Sequence, residues 1–244
     1  MSNRQRTAVI TGASSGIGLA LAAAYLERGY NVVGNARSDE RLDAASKKLG
    51  QPKNFLTVAG DIGLPDTASD IFDRAIETFG QVDILISNAG IFIAKPIGGY
   101  DTDDFDRLVN TNLKGFFYPT QRAVSHMVAN GNGHIVNITA AIGIQPNVNV
   151  PAVLPVMVKG GLNQATKSLA VELAKHNVKV NAVAPGVIDT PLQKPDRHPF
   201  LATLNPLGRI GNVKEIVQAV LYLTDSDFVT GTILTVDGGA TAGR

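Results

Sequence analysis

The stretch TAVITGASSGIGLALA, residues 7–22, decides the fold. It opens on five residues suited to a buried strand, Thr7 to Thr11, and turns on glycine. It then runs into a segment of Leu and Ala, strong helix formers. The three glycines do separate work. Gly12 permits the tight turn off the strand, Gly16 lets a pyrophosphate approach the backbone, and Gly18 lets the helix pack close to the sheet. Ser14, Ser15 and Ile17 complete the turn. Phosphates at this point would meet the free N–H groups of a helix N-terminus, where the helix dipole favours anions. A glycine pattern alone is only a turn, and its place between a strand and a helix makes it a nucleotide-binding signal.

Outward from this unit the same alternation repeats. Strand-like runs fall at residues 7–11, 31–35, 54–59, 82–87, 134–139, 178–184 and 232–236. They are apolar on consecutive positions, as parallel strands buried on both faces require. Helical periodicity fills the spaces, as in SGIGLALAAAYLERG (15–29), TASDIFDRAIETFG (67–80) and GLNQATKSLAVELAKH (161–176). Gly29 and Gly80 stand where C-terminal glycines belong. The pattern predicts an α/β doubly wound Rossmann fold: a seven-stranded parallel sheet flanked by helices on both faces. No linker or repeat divides the chain, so residues 1–244 read as one domain. The proline-rich segment 185–212, PGVIDTPLQKPDRHPFLATLNPLGRIGN, follows a strand C-terminus and reads as a substrate-side lid, or else as a long connection.

Composition bounds the function. Lys plus Arg is 22 and Asp plus Glu is 21, and this balance argues against nucleic-acid binding driven by bulk charge. There is no cysteine, so thiolate nucleophiles and thiolate metal sites are excluded. The four histidines show no metal-ligand spacing, and no metal is expected. No apolar run reaches the roughly 18 residues of a membrane helix, and the polar N-terminus lacks a secretory pattern. The expectation is a cytoplasmic protein acting on a small molecule, with neither nucleic acid nor membrane as partner.

The end of the second strand, VVGNARSDERL (32–42), bears on the cofactor. An acidic residue there would accept bonds from ribose hydroxyls. Arg37 stands there instead, and a guanidinium suits a 2′-phosphate, so NADP(H) is preferred over NAD(H). Two alternatives stay open: Arg37 as a cap on a solvated edge, and competition from Asp39 or Glu40.

The motifs in order then resemble one family. TGASSGIG (11–18), SNAG (87–90), VNTNLKGFF (109–117), GHIVNIT (133–139), KSLAVELAKHNVKVNAVAPGVIDTP (167–191) and TVDGG (235–239) are similar to the short-chain dehydrogenase/reductase pattern across nearly the whole chain. The resemblance implies that Asp61 bonds the adenine amino group with Ile62 beside it. Asn88, Ala89 and Gly90 would line the adenosine ribose. Pro185, Gly186, Ile188 and Thr190 would hold the nicotinamide, and Lys159 its ribose. Asn112 would hold a water that links Lys159 to solvent. It further implies a homotetramer or homodimer built on helices at about 103–130 and 156–176.

The chemistry of that family is hydride transfer between nicotinamide and a carbonyl or alcohol carbon. It implies a tyrosine acid four residues before the lysine, on the same helix face, and a serine that bonds the substrate oxygen. Here those positions are Pro155 and Ala140. A general acid is typically worth ~10²–10⁴ in rate. Thr139 neighbours the serine position but points to the other face of its strand. Proline belongs in a first helical turn, so the helix should begin near Pro155, with Val150 and Leu154 extended before their prolines. Val150, Val153, Leu154 and Val156 would then make the pocket apolar. Lys159 either serves the ribose alone or donates the proton itself, its pKa lowered by desolvation. The expected function is an NADP(H)-dependent oxidoreductase with an atypical site, acting on a small carbonyl, imine or activated double bond. A nucleotide-binding pseudoenzyme, a sensor or partner subunit, is the alternative.

Overall fold

The computed structural model describes residues 4–243. The first three residues, part of the polar start read above as lacking a secretory pattern, lie outside the described residues. Seven strands form one sheet: β1 (Thr7–Thr11), β2 (Asn31–Ala36), β3 (Phe55–Ala59), β4 (Ile84–Ser87), β5 (Gly133–Ile138), β6 (Val178–Pro185) and β7 (Ile233–Val236). All pairings are parallel, in the order β3-β2-β1-β4-β5-β6-β7. The order reverses between β1 and β4. That switch point leaves a crevice at the strand C-termini, where an open α/β sheet takes its ligand.

Alternation along each strand builds two cores. Ala8 and Ile10 of β1 face a cluster with Leu21 and Tyr25 of α1 (Gly16–Glu27) and Ile216 and Leu223 of α8 (Val213–Asp225). Val9 between them faces the other cluster. Its members include Ile71 and Phe72 of α3 (Pro65–Phe79), Met127 of α5 (Gly115–Asn130) and Leu173 of α6 (Val153–Leu173). Helices therefore cover both faces, and the central strands are buried throughout. Helix α2 (Asp39–Lys48) follows β2. Gly80 ends α3 in the left-handed conformation that the sequence assigned to it.

Two boundary expectations need correction. The helix expected over about 103–130 is interrupted. It is α4 (Thr102–Leu108), then a π-helical turn (Val109–Lys114), then α5. Such wide turns re-aim side chains and concentrate at functional sites, and this one carries Asn112. Leu154 is not extended. Helix α6 begins at Val153, so Leu154 is its second residue and Pro155 its third. The first helical bond runs from Val156 N–H to Ala152 O. The missing N–H of Pro155 therefore falls among those that have no intrahelical partner in any case.

The segment 185–212 leaves and re-enters the fold at one point. Asp189 N–H donates to Gly211 O, and Gly211 N–H donates to Val187 O. Between these anchors lie a 3₁₀ turn (Pro195–Arg197) and the short α7 (His198–Ala202). Among the described residues, no helix is long and apolar enough to cross a membrane.

Candidate active site

The glycine turn is built as its sequence demands. Gly12 and Gly16 both adopt positive φ. A Cβ on Gly18 would lie 2.2 Å from Gly12 O, so only glycine lets α1 come this close. Ser15 precedes α1, but its side chain makes no capping bond, and no acidic residue occupies the first turn. The N–H groups at this end thus keep their capacity for an anion. Ile17 packs against the core behind them, and Ser14 is half-buried. Across the crevice, Thr190 lies beside the turn: a Cβ on Gly16 would be 3.3 Å from the Thr190 Cβ. The loop after β6 and the phosphate turn therefore face each other.

The loop after β4 is held by a residue that sequence reasoning missed. The Thr11 hydroxyl accepts from the Asn88 and Ala89 N–H groups, each at 3.0 Å. The Asn88 amide donates back to Thr11 O and Gly12 O. Asn88 thus braces the phosphate turn with the side chain that the resemblance assigned to a ribose. The signal was the threonine before Gly12, a hydroxyl that ends the strand after three apolar residues.

At the adenine end, Asp61 Oδ1 accepts from Gly63 N–H and Oδ2 from the Asn110 amide. Ile62 is 4 % exposed and packs into the core, leaving little of its side chain for an adenine. Arg37 is exposed and forms no ion pair among the described residues. Its suspected competitor, Glu40, turns onto its own N–H and the Ser38 hydroxyl, which hold its carboxyl below the usual range.

At the nicotinamide end, Pro185 closes β6. Gly186 lies against Asp237, where a Cβ would come within 2.8 Å of the Asp237 Cα. Ile188 is buried and bridges to Gly211. These residues form a rigid wall at the end of the sheet.

Gly90, Asn112 and Lys159 converge at the switch point. A Cβ on Gly90 would lie 2.7 Å from Asn112 Oδ1 and 3.4 Å from Lys159 Nζ. The Asn112 side chain is anchored to the loop after β4: Ile91 N–H donates to its Oδ1, and its amide donates to Ile91 O. Lys159 is 9 % exposed, and its ammonium donates to Ile138 O at 3.0 Å. Burial alone lowers it to about 8, with no charged neighbour contributing.

Pro155 lies one turn from Lys159 on the same buried face of α6. Val153 and Met157 lie on the outer face, 39 % and 61 % exposed. That excludes the register slipped by two residues, and it removes Val153 from the expected apolar pocket. Ala140 is extended at the end of β5. The hydroxyl of its neighbour Thr139 is turned away and donates to Val183 O. Among the tyrosines, Tyr25 is buried against Thr224, and the Tyr100 phenol is bound within its own loop by Ile93 O and Lys95 N–H. Lys159 is thus the titratable side chain placed here, and Pro155 and Ala140 stand where the resemblance implies a tyrosine and a serine. Among the described residues there is no cluster of side chains able to hold a metal.

Comparison with known proteins places the chain. The family model for the short chain dehydrogenase matches residues 6–199. The chain is 35 % identical to a 3-oxoacyl-[acyl-carrier-protein] reductase, FabG, of Thermotoga maritima, over 96 % of this chain and 97 % of that protein. It is similar to the solved structure of ElxO with NADP bound, with a TM-score of 0.92 and 27 % identity over 98 % of this chain and 100 % of that one. It is also similar to 3-ketoacyl-(acyl-carrier-protein) reductase from Brucella melitensis complexed with NADH, with a TM-score of 0.91 and 28 % identity over the same shares. The chain belongs to the short-chain dehydrogenase/reductase family and is an NAD(P)-dependent oxidoreductase.

Proposed function

We propose that the protein transfers hydride between NADP(H) and a small organic carbonyl, imine or activated double bond, with Lys159 as the proton donor. The observation that carries this reading is the buried Lys159 ammonium, a titratable group beside Gly90 and Asn112, with Pro155 one turn before it on the same buried face of α6. The bound nicotinamide supplies the hydride chemistry.

The residues present fit such a cofactor. Gly12, Ser14, Ser15, Gly16, Ile17 and Gly18 would take the pyrophosphate, because the turn has no side chain in the way and α1 has no cap. Asp61 and the backbone at Ile62 would meet the adenine, and Asn88, Ala89 and Gly90 its ribose. Pro185, Gly186, Ile188 and Thr190 would hold the nicotinamide. Arg37, free of carboxylates, supports a 2′-phosphate and hence NADP(H) over NAD(H).

Lys159 then has two tasks. It positions the nicotinamide ribose, and it hands a proton from Nζ to the substrate atom that gains negative charge as hydride arrives. The amine left behind regains its proton from water. A buried ammonium near neutrality gives up a proton far more readily than an exposed one. Imines that arrive protonated need no such donor and would tolerate the missing hydroxyls best. Residues 185–212 would act as a lid, since both ends anchor beside the nicotinamide wall. The whole chain would act as one domain, in the cytoplasm. Exposed Phe105, Leu113 and Phe117 around the π-helical turn, with Met157 and Val171 of α6, support a homodimer or homotetramer built on these helices.

One experiment tests the reading. NADPH and NADH are titrated by fluorescence, and NADPH oxidation is followed against ketones, cyclic imines and enones. Tight NADPH binding with turnover of at least one class is expected. Failure to bind either nucleotide would overturn it. A second reading, a nucleotide-binding pseudoenzyme, is favoured by the apolar pair Ala140 and Pro155. Binding without turnover of any class would select it.

A further inference from the structure

The sheet face under α5 and α6 is layered. Its floor is apolar: Leu85 of β4 and Ile135 of β5 meet Ala123, Met127, Ala170 and Leu173. Two residues further along each strand, on the same face, stand Ser87 and Asn137, directly paired across β4 and β5. One turn earlier on α5 stands Thr120, and one turn or more earlier on α6 stand Thr166 and Asn163. All five are buried. Above this polar layer come Lys159, one turn before Asn163, and Ile138 O, the next backbone carbonyl after Asn137.

The layer carries more hydrogen-bonding capacity than the protein satisfies. The Asn137 amide donates to Thr166 Oγ1, which donates to Leu162 O. Five atoms there have no partner among the described residues: Ser87 Oγ, Thr120 Oγ1, Asn137 Oδ1, and both Oδ1 and Nδ2 of Asn163. They are five of the eight such buried atoms. A side chain such as Asn163, 4 % exposed with neither end of its amide bonded, costs about 1–3 kcal/mol for each group unless water reaches it. Buried polar groups crowded in this way are commonly bridged by internal water.

We propose that Ser87, Thr120, Asn137 and Asn163 hold internal water beneath Lys159, and that Asn163 is a positioning residue through which this water keeps the ammonium hydrated and supplied with protons. The supply role rests on Lys159 being the proton donor, whereas the water site does not. The amide of Asn112 is anchored to Ile91 by one bond at each end, so Asn163, with neither end bonded, has the greater unmet capacity for water. No charged group from β5, the loop after β4 or the π-helical turn contributes to the titration of Lys159. Its hydration therefore depends on neutral neighbours.

The test needs neither substrate nor turnover, so its failure is distinct from failure of the oxidoreductase reading. A high-resolution crystal structure should show ordered water bonded to at least two of the four side chains, and a dry layer would overturn the proposal. The Lys159 Nζ resonance, followed by 15N NMR against pH, should titrate about one unit lower in Asn163→Leu, because lost hydration disfavours the charged form. An unmoved titration in a stabilised Asn163→Leu protein would show a plain structural asparagine and sink the positioning role. Ser87→Ala, a smaller change, should shift Lys159 in the same direction if Asn163→Leu does not fold.

Discussion

The phosphate turn and the start of α6 lie at the same end of one sheet, yet follow opposite rules. At the turn, Gly12, Gly16 and Gly18 are fixed by geometry: positive φ at the first two and a 2.2 Å approach at the third. Thr11 and Asn88 lock that geometry in place. At α6, the helix, its buried face and Lys159 are kept, while Pro155 and Ala140 stand at the reacting edge. The difference teaches that the glycine turn is dictated by backbone shape, whereas the fold tolerates apolar residues at Pro155 and Ala140 without losing the helix or the strand end.

The comparison can be broken most sharply at Lys159. Lys159→Met should lower steady-state turnover by ~10²–10⁴, the typical worth of a general acid. The same variant should be more stable than wild type below pH 8, by up to about 3 kcal/mol, because a pKa near 8 instead of about 10.4 measures the cost of burying the charge. In denaturant unfolding this advantage should fade as pH rises from about 8 to about 10.4. There the wild-type lysine is neutral when folded but still protonated when unfolded. Loss of stability in Lys159→Met at neutral pH would contradict the desolvated-lysine account.

Restoring the hydroxyls is the next largest effect. Pro155→Tyr combined with Ala140→Ser should raise ketone reduction by at least about 10² in a coupled NADPH assay. No gain in a folded double variant that still binds NADPH would place the defect elsewhere. On the cofactor side, Arg37→Ala should weaken NADPH binding about 10–100-fold, the worth of charge-assisted hydrogen bonds, with NADH nearly unchanged. Equal losses would refute a 2′-phosphate contact. The smallest effect is structural. Gly18→Ala should lower thermal stability by about 1–3 kcal/mol through overpacking against Gly12 O, and an unchanged melting curve would show that α1 can move away.

Much of this was legible in the sequence because repetition carries it. Apolar strand runs recur seven times with helical periods between them, and every expected strand is present, with ends displaced by at most two residues. The positions of Gly12 and Gly18 follow from spacing to a strand and a helix, and that of Lys159 from the family resemblance. Other features leave no such trace. The π-helical turn at Asn112 differs from an α-helix by one residue per turn, and the sequence VNTNLK has no signal for it. Leu154 illustrates competition between rules. The residue before a proline avoids helix, but here the first turn of α6 forms and the local preference yields to burial of Pro155 and Val158. Thr11 and Asn163 were missed because their partners lie far away in sequence. The first matters for the loop it braces, and the second for neighbours brought together only by the sheet.

In the proposed reaction a loaded nicotinamide site works with the buried Lys159 as its acid. Its most direct test is the pH dependence of kcat/KM for NADPH-driven reduction of an unprotonated substrate. The rate should fall tenfold per pH unit above about 8 in wild type, and Lys159→Met should lose that limb and retain a low, pH-independent rate. A wild-type profile that stays flat to pH 10, or a limb near 8 that survives in Lys159→Met, would contradict it.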